Sequence, residues 1–477
     1  MTGPTPTTTT GAVGLRADRE RGPVLGALML ATSLVALDAT ILATAATTIA
    51  RELGAFAQVP WLFSGYTLAQ AVTVPIYGRL ADVLGRKRVM LAGVALFVAG
   101  SVLCAVAWSM PALIVFRVVQ GLGAGAILPM SMTIVSDIYT LAERAKTQGY
   151  LASVWAIASV AGPTLGGVFS QFVSWRWIFW INLPLGLVAG VLLWRKFRDP
   201  ERDGAREPID YVGAVLLTGG SALLVGGLLE GSEIGWSAPV IVGAFSAAVV
   251  LLSAFVVWAR RARYPIVDLR VLRRRVVATS TTASFMVGVI VLGLSTYVPI
   301  FAQGVLGVGP LVAGFALAAL TLGWPLTASF SGRVYLRIGF RSTGLIGAGL
   351  VILGSTLTLL LGEDSQVWHI SAFVFVIGCG MGLTAVPTLI AAQTSAAWAE
   401  RGAVTGTNMF ARSLGSAVGV AVFGAVVNAN TTVGPDGTPA GPGLAGAVHL
   451  VFWCAVATAV LMLLAVALMP RVGRPES

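Results

Sequence analysis

The sequence predicts an all-α membrane protein of fourteen spans, built as two six-helix bundles with two extra helices between them. Three observations predict it. Of the 477 residues, 56% are hydrophobic and only 11% charged, whereas soluble domains run near one-quarter charged. The apolar residues fall in runs of about 20, the helix length that crosses a hydrocarbon core of ~30 Å. A basic segment between the second and third runs recurs, 254 residues on, between the second and third of the last six.

In chain order, the first six runs lie near 24–47, 61–80, 89–108, 111–136, 147–170 and 177–194. A further pair follows at 211–229 and 237–258, and the last six lie near 276–302, 309–331, 342–361, 367–391, 402–427 and 446–469. The organisation expected is a disordered tail at 1–22, rich in Thr, Gly and Pro, then an N-terminal bundle over 23–195. Two inserted helices with their linkers occupy 196–275, a C-terminal bundle 276–470 and a short tail 471–477. The first residues carry neither the short apolar core nor the cleavage site of a signal peptide.

Orientation follows from the short loops. With the N-terminus inside, 27 of the 31 Lys and Arg collect on the cytoplasmic side, which places both termini there. The expected location is the cell membrane. A net charge of +11, a pI near 10.2 and a mean hydropathy of +0.87 therefore describe charged loops on an apolar body. No nucleic-acid partner is expected; lipid surrounds the protein, which is expected to be a monomer. Cys104, Cys379 and Cys454 all lie in apolar runs with no disulfide or metal spacing, so no metal is expected.

The recurring segment is Gly78–Arg88, GRLADVLGRKR, read as a short turn between helices. It holds four cations (Arg79, Arg86, Lys87, Arg88) and one acid, Asp82. Gly78, Arg79, Gly85 and Lys87 map onto Gly332, Arg333, Gly339 and Arg341, while Asp82 maps onto Leu336. A lone carboxylate among cations reads as a helix-end latch, and carboxylates are attracted to helix N-termini. The thirteenth run starts on the same side, beside Arg401 and Gly402, which makes that helix the expected partner.

Ionisable groups inside spans cost several kcal/mol and mark function by default. Asp38 in the first span, Arg117 in the fourth and Arg412 in the thirteenth qualify. Asp38 lies ~12 Å and Arg117 ~9 Å from the outer ends of their spans, depths that allow them to pair across a shared cavity. Such a contact lets a carboxylate bind and release a proton, because a nearby arginine opposes the effect of burial. Arg412, ~15 Å in from the cytoplasmic end, is open to two roles: lining the cavity or tying helices together. In the fifth span, Pro163 among Gly162, Gly166 and Gly167 predicts a kinked, closely packed helix suited to gating. There is no phosphate-cradling Gly-Lys-Ser loop, metal cluster or Ser-His-Asp spacing, so neither an enzyme nor a cofactor is expected. The free energy for moving a solute must then come from a gradient.

These segments resemble the major facilitator superfamily. GRLADVLGRKR is similar to its signature between spans two and three, LIVFRVVQGLGAG to its fourth-span motif, and AGPTLGG to the fifth-span motif of its proton antiporters. LDAT (37–40), WRWIFWINLPLG (175–186) and PIVDLRVLRRR (265–275) resemble the fourteen-span drug:proton antiporter branch. The chain departs from that branch after LDAT, where an asparagine and a proline are usual, and at Ala158, where glycine is usual. The resemblance implies the major facilitator fold and proton coupling through Arg117, to which the residues themselves add Asp38 as the expected proton carrier. The gating motif implied comprises Gly78, Arg79, Asp82, Gly85, Arg86 and Lys87. It also implies a multidrug efflux transporter that gives antibiotic resistance by exporting lipophilic drugs, antibiotics or dyes, cationic ones included. An exporter dedicated to one endogenous lipid, siderophore or secondary metabolite is a second reading. A membrane receptor or enzyme is a third, with no catalytic cluster or signalling domain to favour it.

Overall fold

A bilayer supplies no hydrogen-bond partners, so an apolar run must satisfy its own backbone, and the α-helix does so within one segment. The computed structural model describes residues 21–53, 59–199, 210–263, 265, 267, 269–430, 432–433, 439–440 and 443–471. Residues 1–20 of the expected N-terminal tail and most of the C-terminal one lie outside these residues; Arg21 and Gly22, expected in the tail, already belong to the first helix.

The first bundle comprises α1 (Arg21–Leu53), α2 (Val59–Leu84), α3 (Arg86–Ala105), α4 (Met110–Ile138) and α5 (Leu141–Val168). It is completed by a span broken at Ile181 into α6 (Trp177–Trp180) and α7 (Asn182–Lys196). α8 (Tyr211–Ile234) and α9 (Pro239–Arg261) are the inserted pair, and α10 (Leu269–Leu272) is a single turn leading to the second bundle. That bundle comprises α11 (Arg275–Gly304), α12 (Pro310–Ile338), α13 (Phe340–Thr358), α14 (Val367–Thr394), α15 (Arg401–Asn430) and α16 (Leu444–Ala467). Thr432–Val433 and Pro439–Ala440 form a minimal antiparallel pair between the last two helices.

Thirteen described segments are long and apolar enough to cross a membrane. The run expected at 61–80 forms α2, which falls short of that apolarity because Tyr66, Thr67, Gln70, Thr73 and Tyr77 dilute it and Arg79 and Asp82 charge its end. Local chemistry sets several starts. Ser109 accepts from the Ala112 amide at the head of α4, Thr140 and Glu143 form a reciprocal box at the head of α5, and Asp210 accepts from the Gly213 amide in α8. The Thr140 amide beside the Glu143 carboxylate holds that carboxyl below its ordinary range.

The two bundles repeat one packing pattern. α2 and α3 lie on α4 as α12 and α13 lie on α14, and α1 meets α5 and α7 as α11 meets α15 and α16. Across the divide, α2 meets α15 and α5 meets α12. α8 leans on α2 and α15, while α9 packs chiefly on α8 and leaves Val240, Val249, Val250 and Val257 exposed on a lipid-facing side.

The segment 78–88 is not the turn that its glycines and charges predict. Helix α2 continues to Leu84, α3 resumes at Arg86, and only Gly85 interrupts them. A single residue suffices because Gly85 takes φ +98°, and its repeat Gly339 takes φ +87° between α12 and α13. This backbone region is essentially closed to residues with a Cβ. Nothing lies within 4 Å of a Cβ added at Gly339, whereas one at Gly85 would strike the Asp199 carboxylate. Gly339→Ala should therefore destabilise the purified protein by ~1–3 kcal/mol through backbone strain alone. Gly85→Ala should lower the thermal midpoint further; equal shifts would deny Asp199 any part.

Candidate functional site

Three groups of side chains emerge, each held by helices distant in the chain. The first is a charged network at the basic end, where α2 meets α15. The Asp82 carboxylate accepts from the amides of Gly402 (3.1 Å) and Ala403 (2.8 Å), N–H groups of α15's first turn that have no acceptor within their own helix. Arg86 pairs with Asp82 at 3.0 Å and with Asp137 of α4 at 3.0 Å. It also donates to the Trp398 carbonyl at 2.8 Å and lies 3.8 Å over the Trp398 ring. Asp137 reaches Arg401 at 3.5 Å. Asp82 and Arg86 are buried. The approach depends on two glycines, since a Cβ on Gly78 would lie 2.5 Å from the Gly402 carbonyl and one on Gly402 2.5 Å from the Gly78 carbonyl.

Neighbouring groups brace this network. Arg144 donates to the carbonyls of Tyr139 and Ser136 at the end of α4; burial, with Arg401 beside it, pushes Arg144 down to about 10, so it stays cationic near neutral pH. Lys87 donates its Nζ to the Trp194 carbonyl at 2.6 Å, and its amide donates to both oxygens of Asp199 at 3.1 and 3.2 Å. Arg79 sits one turn before Asp82 on α2. Trp398 and Asp199 were not singled out by sequence. Asp199 carried no distinguishing signal, because Glu201 and Asp203 share its basic stretch after α7.

The second group is sealed inside the first bundle. Arg117 and Asp38 pair at 2.6 Å, and Gln120, one turn further along α4, joins both. Arg117 donates to the Gln120 carbonyl oxygen at 2.7 Å, and the Gln120 amide donates to Asp38 at 2.9 Å and to Ser101 at 3.1 Å. Ser101 also accepts from Asn182 at 2.8 Å, while Arg117 donates to the Leu62 carbonyl and lies 4.1 Å over the Tyr66 ring. Asp38, Arg117 and Gln120 are each at most 1% exposed. The shared cavity expected around Asp38 and Arg117 is not where they lie, because neither lines the cavity between the bundles. Asp38 is two residues before Thr40, which does line it, and two helical steps turn a side chain well away.

The third group is that cavity, about 410 Å³, walled by α1, α4, α5, α11, α12, α14 and α15. Arg412 lines it together with Trp155, Trp324, Met132 and Met409. Of the two roles left open for Arg412, lining the cavity is the one observed. In α5, a Cβ on Gly162 would strike Thr40 Oγ1, whose hydroxyl donates to the Ala158 carbonyl at 3.0 Å, so α1 and α5 touch there. Gly166 is buried, and a Cβ on Gly167 would meet nothing within 4 Å. The Pro163 side chain lies outside those described. α5 stays α-helical to Val168 and widens into a π turn at Phe169–Val173. Among the described residues no group of three or more His, Cys, Asp or Glu could hold a metal ion.

The Major Facilitator Superfamily family model matches residues 28–420. The chain belongs to that superfamily. It is 32% identical over 415 residues to the "Multidrug transporter protein MdtP" of Bacillus subtilis (strain 168), covering 86% of this chain and 76% of that protein. It is 34% identical over 405 residues to "Multidrug resistance protein 3" of the same organism, covering 84% and 78%. A crystal structure of the human organic anion transporter MFSD10 (TETRAN) superposes with a TM-score of 0.65 at 16% identity, covering 95% of this chain and all of that one. At that identity it shows the major facilitator fold alone. This superfamily member is a multi-pass membrane transporter of small molecules.

Asp82→Asn removes the charge that faces the α15 amides while keeping the side chain's size. Transport turnover should fall while substrate affinity in the purified transporter stays unchanged. Loss of affinity would assign Asp82 to cargo binding instead.

Proposed function

We propose that this protein is a proton-coupled antiporter that exports lipophilic compounds, drugs and dyes among them, across the cell membrane by alternating access. One observation carries the coupling: a carboxylate in mid-membrane, Asp38, whose charge is taken up by one arginine and one glutamine of a single neighbouring helix. Protonating Asp38 cancels its attraction to Arg117 and leaves that guanidinium buried without a counter-charge, a costly arrangement that favours rearrangement of α1 against α4. Thr32 and Thr40 of α1 and Leu128 and Ser131 of α4 line the cavity, so such a movement reaches its wall.

The network around Asp82 supports the alternating step. It joins the bundles at the end rich in Lys and Arg, which the charge distribution makes cytoplasmic, so this conformation is closed towards the cytoplasm. Opening that end separates Asp82 from the amides of Gly402 and Ala403, and Asp137 from Arg401. These are charge-assisted contacts between whole bundles, and they hold one state until cargo or protons shift the balance. The relatives named as a multidrug transporter and a multidrug resistance protein support export as the direction.

Purified protein in proteoliposomes tests this. Wild type should release protons when an exported dye is added on the appropriate side, and Asp38→Asn should abolish that release. Coupled transport that persists in Asp38→Asn would sink the role of Asp38.

A further inference from the structure

Two arginines lie in mid-membrane, and their surroundings differ. Arg117 is neutralised by Asp38 and fully enclosed. Arg412 faces the cavity between the bundles, and among the described residues no acid lies within ion-pair distance of it and no protein acceptor bonds its guanidinium. Its one recorded contact of this kind is aromatic, with the Trp324 ring centred 5.9 Å from Cζ. A cation left without a counter-charge at that depth is expensive and must draw compensation from water or from a ligand.

The rest of the cavity says which ligand fits. At about 410 Å³ it is the size of a small-molecule site. Trp155, Trp324, Met132 and Met409 give it apolar and aromatic walls, and Gln148, Ser413 and Ser416 add neutral hydrogen-bonding groups. Arg412 is the only charged residue among the described lining side chains, and no acid there offers a site to a cation. The fork of a guanidinium matches a carboxylate or sulfonate through two parallel hydrogen bonds, and an aromatic wall beside it takes the ring that bears the acid.

We propose that Arg412 is the recognition residue for an organic anion, and that the preferred cargo is a lipophilic molecule bearing at least one carboxylate, sulfonate or phenolate. The inference rests on the export reading above and narrows its cargo, setting lipophilic cations in second place. An inorganic anion is the other source of the same charge; the aromatic and thioether walls favour an organic one.

Equilibrium binding to the detergent-purified, full-length protein tests it with two xanthene dyes of similar frame and opposite charge, anionic fluorescein and a cationic rhodamine ester, followed by fluorescence anisotropy at mildly alkaline pH. Wild type should bind fluorescein more tightly. Arg412→Gln should weaken fluorescein at least ~10-fold, as loss of a charged hydrogen-bond partner does, without weakening the rhodamine ester. Arg412→Lys, which keeps the charge but loses the fork, should weaken fluorescein less than Arg412→Gln does. Ser416→Asp, one turn along α15, should weaken fluorescein and tighten the rhodamine ester, and it serves should Arg412→Gln fail to fold. Exchanging chloride for gluconate should leave both dyes unaffected. Equal losses for both dyes in Arg412→Gln, preference of the wild type for the cation, binding of neither dye, or competition by chloride alone would each overturn the proposal. Because binding needs no gradient, Asp38→Asn should keep the preference for fluorescein. Failure of proton coupling and failure of anion recognition are thereby separated.

Discussion

The contact between the Asp82 carboxylate and the first amides of α15 is the constraint around which the basic end of the molecule is arranged. A buried carboxylate must have its charge met, and Arg86 alone is shared with Asp137. The remaining compensation comes from the other bundle, as two N–H groups that have no partner within their own helix. That geometry exists only while α2 and α15 touch, and they touch only because positions 78 and 402 lack side chains. The contact is therefore close to all-or-none. Partial separation would strand a charge in a place water does not reach, which suits the gating role proposed for it.

The repeat of this segment shows geometry surviving where chemistry does not. Gly339 keeps the positive φ of Gly85, so α12 and α13 join as α2 and α3 do. Leu336 stands where the first bundle has Asp82, and the second copy offers no carboxylate to the helix opposite it. The inserted helices sit beside this asymmetric seam, with α8 touching both α2 and α15. Asp199, in the stretch leading to them, meets the Lys87 amide at the head of α3. The insertion is thus connected to the Asp82 segment as well as attached to the bundle.

Electrostatics also separates two sites that a linear view runs together. The Asp38 and Arg117 charges cancel inside the first bundle, sealed by Gln120, Ser101 and Tyr66. The cavity between the bundles has no such cancellation and carries the field of Arg412. On the function proposed here, the first cluster exchanges a proton without contacting cargo, and the second contacts cargo. They communicate through α1 and α4, which contribute to both.

By itself, the sequence determined what depends on neighbours along the chain. Run lengths, the sidedness of Lys and Arg, the 254-residue repeat and the buried ionisable positions are properties of short segments, and they specify a helical membrane protein in two halves. They also brought Asp82, Asp38, Arg117 and Arg412 into view, because an ionisable group in or beside an apolar run is conspicuous without a structure. Tertiary structure alone decided which groups meet. Trp398 over Arg86, Asp199 on the Lys87 amide and Gln120 between Asp38 and Arg117 are contacts across tens to hundreds of residues, or depend on the face a helix turns inward. The same holds for the cavity. Whether a side chain two residues from a lining position faces the cavity or the bundle interior is set by about 200° of helical rotation, and the packing of the other helices fixes that rotation.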